Sequence, residues 1–286
     1  MAMNEMKNLM EKPDTMKNEL TAPLNITGET PFYVVVGDPI KQVRSTELYN
    51  KMASDNGLDV VFIPLHFSEA DAETGIAALR IFKNLGGIIP TIPHKQGFLD
   101  KVDELSPRAL MVGAVNSIRC ENNGRWVGDI FDGVGYVNGL LANERSPRDK
   151  SILLIGAGGA GSSMAFALAE AGAARLQIHD IAADKAKKVA AGVAEHYPAV
   201  VVKYGNPDPR GFDIVANATP VGMRADDPFP INPNLLDPRQ LVTEMIMKPN
   251  VTRFLTAARE KGCEIQVGYE ALKGQAKANM EFFGLI

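Results

Sequence analysis

The chain has 286 residues, 45% of them hydrophobic, with 30 Lys and Arg against 34 Asp and Glu for a formal net charge of -4. That length fits two domains or one large one with sizeable cores, and the charge balance argues against nucleic acid as a partner. Two cysteines (Cys120, Cys263) make no disulfide framework and suit a reducing cytoplasm, the histidines (His66, His94, His179, His196) lack metal-ligand spacing, and no apolar stretch approaches the ~20 residues that span a bilayer.

Residues 1–27 are polar, mixed in charge and without the apolar core of a signal peptide, and read as an extension that contributes no chemistry. From residue 32 onward, apolar runs alternate with helical patterns. Phe32-Tyr33-Val34-Val35-Val36 reads as a buried strand, 46–56 as a helix, and 60–65 as a second strand. The segment 69–84 reads as an amphipathic helix with Ile76, Leu79, Ile81 and Phe82 as its apolar marks. Residues 86–90 read as a short third strand, placed at a sheet edge by Pro90. Residues 114–120 and 125–128 flank a polar turn and predict a hairpin. A helix over 132–142 follows, then the polar linker 143–148. Beyond it, strands are expected at 152–155, 176–179, 200–203, 213–217, 241–245 and 264–267, with helices at 162–171, 252–261 and 269–283. Continuous strand–helix alternation predicts parallel sheets with ligands at the carboxyl ends of strands.

The most informative segment is Gly156-Ala157-Gly158-Gly159-Ala160-Gly161. It follows an apolar strand and opens a helix, and the next strand ends at Asp180, close to the ~20 residues expected of a dinucleotide-binding fingerprint. Gly156 allows the tight turn, Gly158 lets backbone approach a pyrophosphate, and Gly161 lets helix and strand pack closely. With Gly159 and Ala160 they form the helix N-terminus that faces the phosphates. Asp180 accepts hydrogen bonds from both ribose hydroxyls of NAD and repels the 2′-phosphate of NADP. No arginine stands beside it, so NAD is the expected cofactor. Lys185, Lys187 and Lys188 read as the solvated face of a helix. The expected fold is α/β with two domains and a cleft between them: residues 28–142 plus 269–286 as a substrate and catalytic domain, and 143–268 as a Rossmann NAD-binding domain.

Carbonyl–alcohol chemistry also needs a proton carrier at oxygen. Lys95, after the third strand, and Asp132, at a helix start, are candidates. By position alone the ordinary readings prevail, Lys95 as a solvated lysine and Asp132 as a helix N-cap.

The chain resembles the shikimate/quinate dehydrogenase family from about Tyr33 to Gly284. The marks occur in the family's order: Gly37-Asp38-Pro39-Ile40 through Ser45 and Asn50, Thr91-Ile92-Pro93-His94-Lys95, Gly113-Ala114-Val115-Asn116-Ser117, Gly128 to Gly133, Asn217-Ala218-Thr219-Pro220-Val221-Gly222-Met223, and Gln275. The resemblance implies that Lys95 and Asp132 are the proton-transfer pair. It implies that Ser45, Thr91, Asn116 and Gln275 bind substrate, and that Thr219 and Met223 lie near the nicotinamide. The implied partner is a small-molecule substrate, a cyclic secondary alcohol or its ketone, with a homodimer left open. There are departures. Val43 replaces one of two serines that hold a substrate carboxylate, and Met247 replaces a tyrosine that assists. Ile89 and Ile130-Phe131 stand where the family has polar residues, and Asp180-Ile181-Ala182 stands where it has an arginine-bearing NADP signature. Arg44, Lys41 or Lys273 takes the carboxylate, or Val43 and Met247 are repacked walls of a pocket that still turns over shikimate, or the substrate is another hydroxy compound. A non-catalytic NAD-sensing module is the alternative from another class.

Overall fold

The computed structural model describes residues 26–286, so most of the expected extension lies outside the described residues. Two six-stranded sheets organise the rest. The first contains β1 (Phe32–Gly37), β2 (Val61–His66), β3 (Leu85–Pro90), β4 (Glu104–Leu105), β5 (Ser117–Cys120) and β6 (Trp126–Asp129), in the order β2-β1-β3-β5-β6-β4. Helices α1 (Ser45–Asp55), α2 (Ala72–Leu79), α3 (Pro107–Val112) and α4 (Asp132–Ala142) accompany it.

The second sheet contains β7 (Ser151–Ile155), β8 (Arg175–His179), β9 (Val201–Tyr204), β10 (Ile214–Asn217), β11 (Leu241–Glu244) and β12 (Glu264–Gln266). Its order is β12-β11-β10-β7-β8-β9, and every pairing is parallel. Counted from β7, this is the doubly wound order whose reversal point lies between its first and fourth strands, here β7 and β10. Helices α5 (Gly159–Glu170), α6 (Ala183–His196) and α7 (Arg253–Glu260) belong to this half. The last helix, α8 (Tyr269–Phe282), contacts the first half. Asn279 accepts from Ser117 Oγ at 2.6 Å and donates to the Tyr49 hydroxyl of α1, while the Phe282 carbonyl accepts from Arg119 at 3.0 Å.

Three expectations need correction, and one segment went unread. The third strand is not at an edge: β3 lies between β1 and β5. Pro90 is tolerated because it is the last residue of the strand, where the missing N–H interrupts no further ladder. The first sheet is not wholly parallel, since β5 runs antiparallel to both β3 and β6. A tight hairpin turn reverses the chain there, which a crossover helix would not. The helix expected over 69–84 begins as a 3₁₀ turn at Glu69–Asp71 and ends with Leu79. Ile81 and Phe82 therefore lie outside it, 71% and 49% exposed, with Phe82 edge-on to Phe32. The short β4–α3 segment carried no periodicity long enough to be read. Its helix is started by Ser106, whose hydroxyl accepts from Ala109 N at 3.0 Å, with Pro107 in the first turn.

The contact between α4 and its neighbours sets the joint between the two halves. A Cβ on Gly274 of α8 would fall 2.2 Å from the Gly135 carbonyl oxygen of α4, and one on Gly133 would fall 2.1 Å from the Ser163 carbonyl oxygen of α5. Only glycine permits backbones this close. The Tyr136 hydroxyl of α4 meets Thr243 Oγ1 of β11 at 2.8 Å, both side chains buried, and Gly133 N donates to Ser163 Oγ at 2.8 Å.

Candidate active site

Two cavities meet between the halves. The larger, about 600 Å³, runs along the carboxyl ends of β7, β8 and β10 and is lined by Gly156, Gly158, Gly159, Ala160, Asp180 and Thr219, among others. The smaller, about 110 Å³, is lined by Ser45, Thr91, Asn116, Asp132, Met223 and Gln275, among others. Lys95, Ala160 and Thr219 border both.

The glycine turn fits a dinucleotide phosphate. Gly156 has φ +103, a conformation that favours glycine, and Gly161 passes so close that a Cβ would lie 2.0 Å from the Gly156 carbonyl oxygen. A Cβ on Gly158 would point into open space. Gly158 is the N-cap of α5 and brings no side-chain cap, which leaves first-turn N–H groups for an anion. Gly161 serves packing and does not line the groove. The Asp180 carboxylate accepts from Ala157 N and Ala182 N, both at 2.8 Å, so it also braces the turn it flanks. Lys185, expected on a solvated helix face, is exposed but also borders the groove beside Asp180. Lys187 instead pairs with Asp184 at 3.2 Å.

Lys95 sits in the loop after β3. His94 anchors that loop: it is 2% exposed, its Nε2 lies 3.0 Å from the Phe67 carbonyl, and its backbone N donates to the Thr91 carbonyl at 2.8 Å. The Lys95 carbonyl accepts from Val115 N at 3.0 Å. Its ammonium donates to Asp132 Oδ2, with the two side chains only 13% and 4% exposed. Asp132 is not an N-cap. Phe131 occupies that position, and no side-chain cap bond forms, so the carboxylate is directed to Lys95.

Asn116 links the surrounding side chains. It donates to Gln275 Oε1 at 3.1 Å and accepts from Phe131 N at 2.8 Å. Thr91 follows β3, and Ser45, buried, is the first residue of α1. Met223, like Gly161, is outside the groove; it lines the smaller cavity instead. Val43, Ile89 and Met247 also line the smaller cavity, whereas Arg44 lies with its guanidinium 4.8 Å from the Tyr269 ring centroid, and Lys273 pairs with Glu270 at 2.7 Å.

Two contributors were not singled out from the sequence. Tyr49, which reads as an ordinary apolar mark of its helix, lines the smaller cavity. Glu244, at the end of β11, is 1% exposed and accepts from Asn217 at 3.1 Å and from Thr252 at 2.6 Å. Asn217 in turn accepts from Thr219 N at 3.0 Å and Thr219 Oγ1 at 2.6 Å, holding the loop that borders both cavities. Burial pushes the Glu244 carboxyl up from 4.5 to about 6, although the Thr252 and Asn217 hydrogen bonds oppose the rise. The signal for it is an acidic residue ending an apolar strand beside the dinucleotide reversal point. Among the described residues, no cluster suits a metal ion and no helix is long and apolar enough to cross a membrane.

A doubly wound sheet with a phosphate-shaped glycine turn, opening onto a lysine–carboxylate pair, defines a two-domain NAD(P)-dependent dehydrogenase acting on a CH–OH group. Residues 35–118 match the shikimate dehydrogenase substrate binding domain. The chain is 31% identical over 269 residues to shikimate dehydrogenase (NADP(+)) of Rhodospirillum rubrum, covering 91% of this chain and 94% of that one. Among solved structures it resembles a shikimate dehydrogenase in complex with NADP+ (TM-score 0.83, 27% identity, 93% and 94% of the two chains). It also resembles quinate dehydrogenase from Corynebacterium glutamicum in complex with NAD (TM-score 0.76, 27% identity, 90% and 94%). The chain belongs to the shikimate/quinate dehydrogenase family.

Proposed function

We propose that this protein is an NAD-dependent dehydrogenase that interconverts a small cyclic secondary alcohol and its ketone. The observation that carries this is the buried Lys95–Asp132 pair where the two cavities meet. A bound nicotinamide supplies the hydride exchange. The protein supplies the proton. In the reduction direction the Lys95 ammonium donates to the developing alkoxide, and Asp132 holds that ammonium in place and stabilises its charge. In the oxidation direction the pair receives the hydroxyl proton. Ser45, Thr91, Asn116 and Gln275 orient the ring by hydrogen bonds to its hydroxyls. Thr219, fixed through Asn217 and Glu244, holds the wall between ring and cofactor.

Asp180 supports the choice of NAD, because a 2′-phosphate would bring like charge against its carboxylate. Lys185 on the same groove wall favours a second reading in which NADP is also used, in keeping with the cofactor named for the Rhodospirillum relative. Domain bounds at residues 142–143 and 268–269 go with this proposal, since the cofactor half then begins with β7 and ends before α8.

Initial rates with shikimate, quinate and a panel of neutral cyclic alcohols, each with NAD and with NADP, test the function at the reduced-nicotinamide absorbance. Turnover of at least one alcohol that is lost in Lys95→Ala supports it. Tight NAD binding with no alcohol oxidised would leave a dinucleotide-sensing module instead.

A further inference from the structure

We infer that the natural substrate is uncharged: a neutral polyhydroxylated alcohol or ketone without a carboxylate. This rests on the dehydrogenase reading above and concerns the chemistry of the smaller cavity.

The side chains that line this cavity carry one cation and one anion, Lys95 and Asp132, and these are bonded to each other. A carboxylate placed at Lys95 would compete with Asp132 for one ammonium and leave two anions around one cation. Of the three cations considered for a carboxylate, Lys41 does not line the cavity, and Arg44 and Lys273 are directed elsewhere. The Arg44 guanidinium lies over the Tyr269 ring and 3.6 Å from Glu47, and the Lys273 ammonium is 2.7 Å from Glu270.

The elements that border the cavity divide its chemistry. The end of β3, the approach to β5 and the start of α4 bring Thr91, Lys95, Asn116 and Asp132. The loop before α1 and the exit from β11 bring Val43, Ile246 and Met247, with Leu272 added by α8. On that apolar side the polar side chains are Ser45, Gln42 and Tyr49; the Gln42 amide already donates to the Pro39 carbonyl, and the Tyr49 hydroxyl already accepts from Asn279. An ionised carboxylate leaving water needs a cation or several directed donors. Here it would meet hydrocarbon, the thioethers of Met245 and Met247, the Ser45 hydroxyl and a Tyr49 hydroxyl already engaged by Asn279. A neutral hydroxyl asks for less, one donor and one acceptor. The Asn116–Gln275 amide pair and the Thr91 and Ser45 hydroxyls provide both kinds.

The test is a matched pair of probes that differ only in charge: shikimate and its primary carboxamide, titrated calorimetrically into the full-length protein saturated with NAD. The carboxamide is expected to bind at least tenfold more tightly. Equal or tighter binding of the acid overturns the inference, and so does binding of neither probe, because the ring hydroxyls would then have no site. Met247→Lys places an ammonium on the apolar side of the cavity and should narrow or reverse the preference. An unaltered ratio in a folded variant also overturns the inference. Binding is read without turnover, so failure of the dehydrogenase reading shows separately, as absence of nicotinamide reduction by every alcohol of the panel.

Discussion

Asn116 and Gln275 are 159 residues apart in sequence, yet the Asn116 side chain donates to Gln275 Oε1 at 3.1 Å. The contact ties the strand-entry segment before β5 to the returning α8, so two proposed ring-binding groups position each other. Gln275→Ala removes one polar group facing the ring and frees the Asn116 amide. A hydrogen bond of ~1–1.5 kcal/mol corresponds to about a tenfold rise in KM with a smaller change in kcat. Steady-state kinetics on the alcohol that gives turnover checks the split.

Lys95→Ala is expected to lower kcat by ~10²–10⁴ while the Kd for NAD changes far less. Asp132 would lose its partner while 4% exposed, so the melting temperature should fall as well. Calorimetric NAD titration and thermal unfolding of the same preparation separate the two effects. Unchanged turnover would remove Lys95 from the proton path.

Cofactor choice is tested at Asp180 and Lys185. Asp180→Ser should raise the NADP-to-NAD ratio of kcat/KM by ~10-fold or more, in line with ~1.5–3 kcal/mol for hydrogen bonds to a charged group. It should also loosen the glycine turn, since Ala157 N and Ala182 N lose their acceptor. Lys185→Ala should reduce use of NADP and leave NAD kinetics nearly unchanged.

Glu244 predicts a pH dependence of stability. Its carboxyl is raised from 4.5 to about 6 by burial, so the folded state binds this proton more tightly than the unfolded chain. The stabilisation is fully present below pH 4.5 and is lost as pH rises through about 6. The displacement corresponds to about 2 kcal/mol. Glu244→Gln has no such proton. Its stability relative to the parent should therefore improve by about that amount between pH 4.5 and 7, as measured by urea unfolding across the range. A difference independent of pH would contradict the assignment.

Gly274→Ala is expected to destabilise by ~1–3 kcal/mol, because its Cβ would fall 2.2 Å from the Gly135 carbonyl oxygen. Relief of that clash moves α8 away from α4 and carries Gln275 with it. Lower melting temperature should therefore accompany a higher KM.

The alternation of strands and helices was legible in the sequence because it rests on local periodicity. The helix read over 132–142 coincides with α4, and the strand–glycine–helix–strand–acid run coincides with β7, α5 and β8. Where local pattern conflicted with packing it misled. Ile81 and Phe82 continue an apolar spacing but lie beyond the last turn of α2, and Pro90 reads as an edge signal although β3 is interior. The β4–α3 segment was missed because so short a strand and helix carry too few repeats to show a period.

The sequence by itself determined the α/β architecture, the glycine turn with its flanking acid, and the family's ordered motifs. These depend on residues close together in the chain, where spacing and backbone freedom are sufficient. Only the tertiary structure decided that the Asp132 carboxylate serves Lys95 rather than capping its own helix. It also brought Gln275 to Asn116 and placed the buried Glu244 behind Thr219. It set Val43 and Met247 on one small cavity while directing Arg44 and Lys273 to other partners. Those outcomes rest on contacts between segments well separated in the chain, 37 residues for Lys95 and Asp132, 27 for Asn217 and Glu244 and 159 for Asn116 and Gln275, which leave no trace in local periodicity.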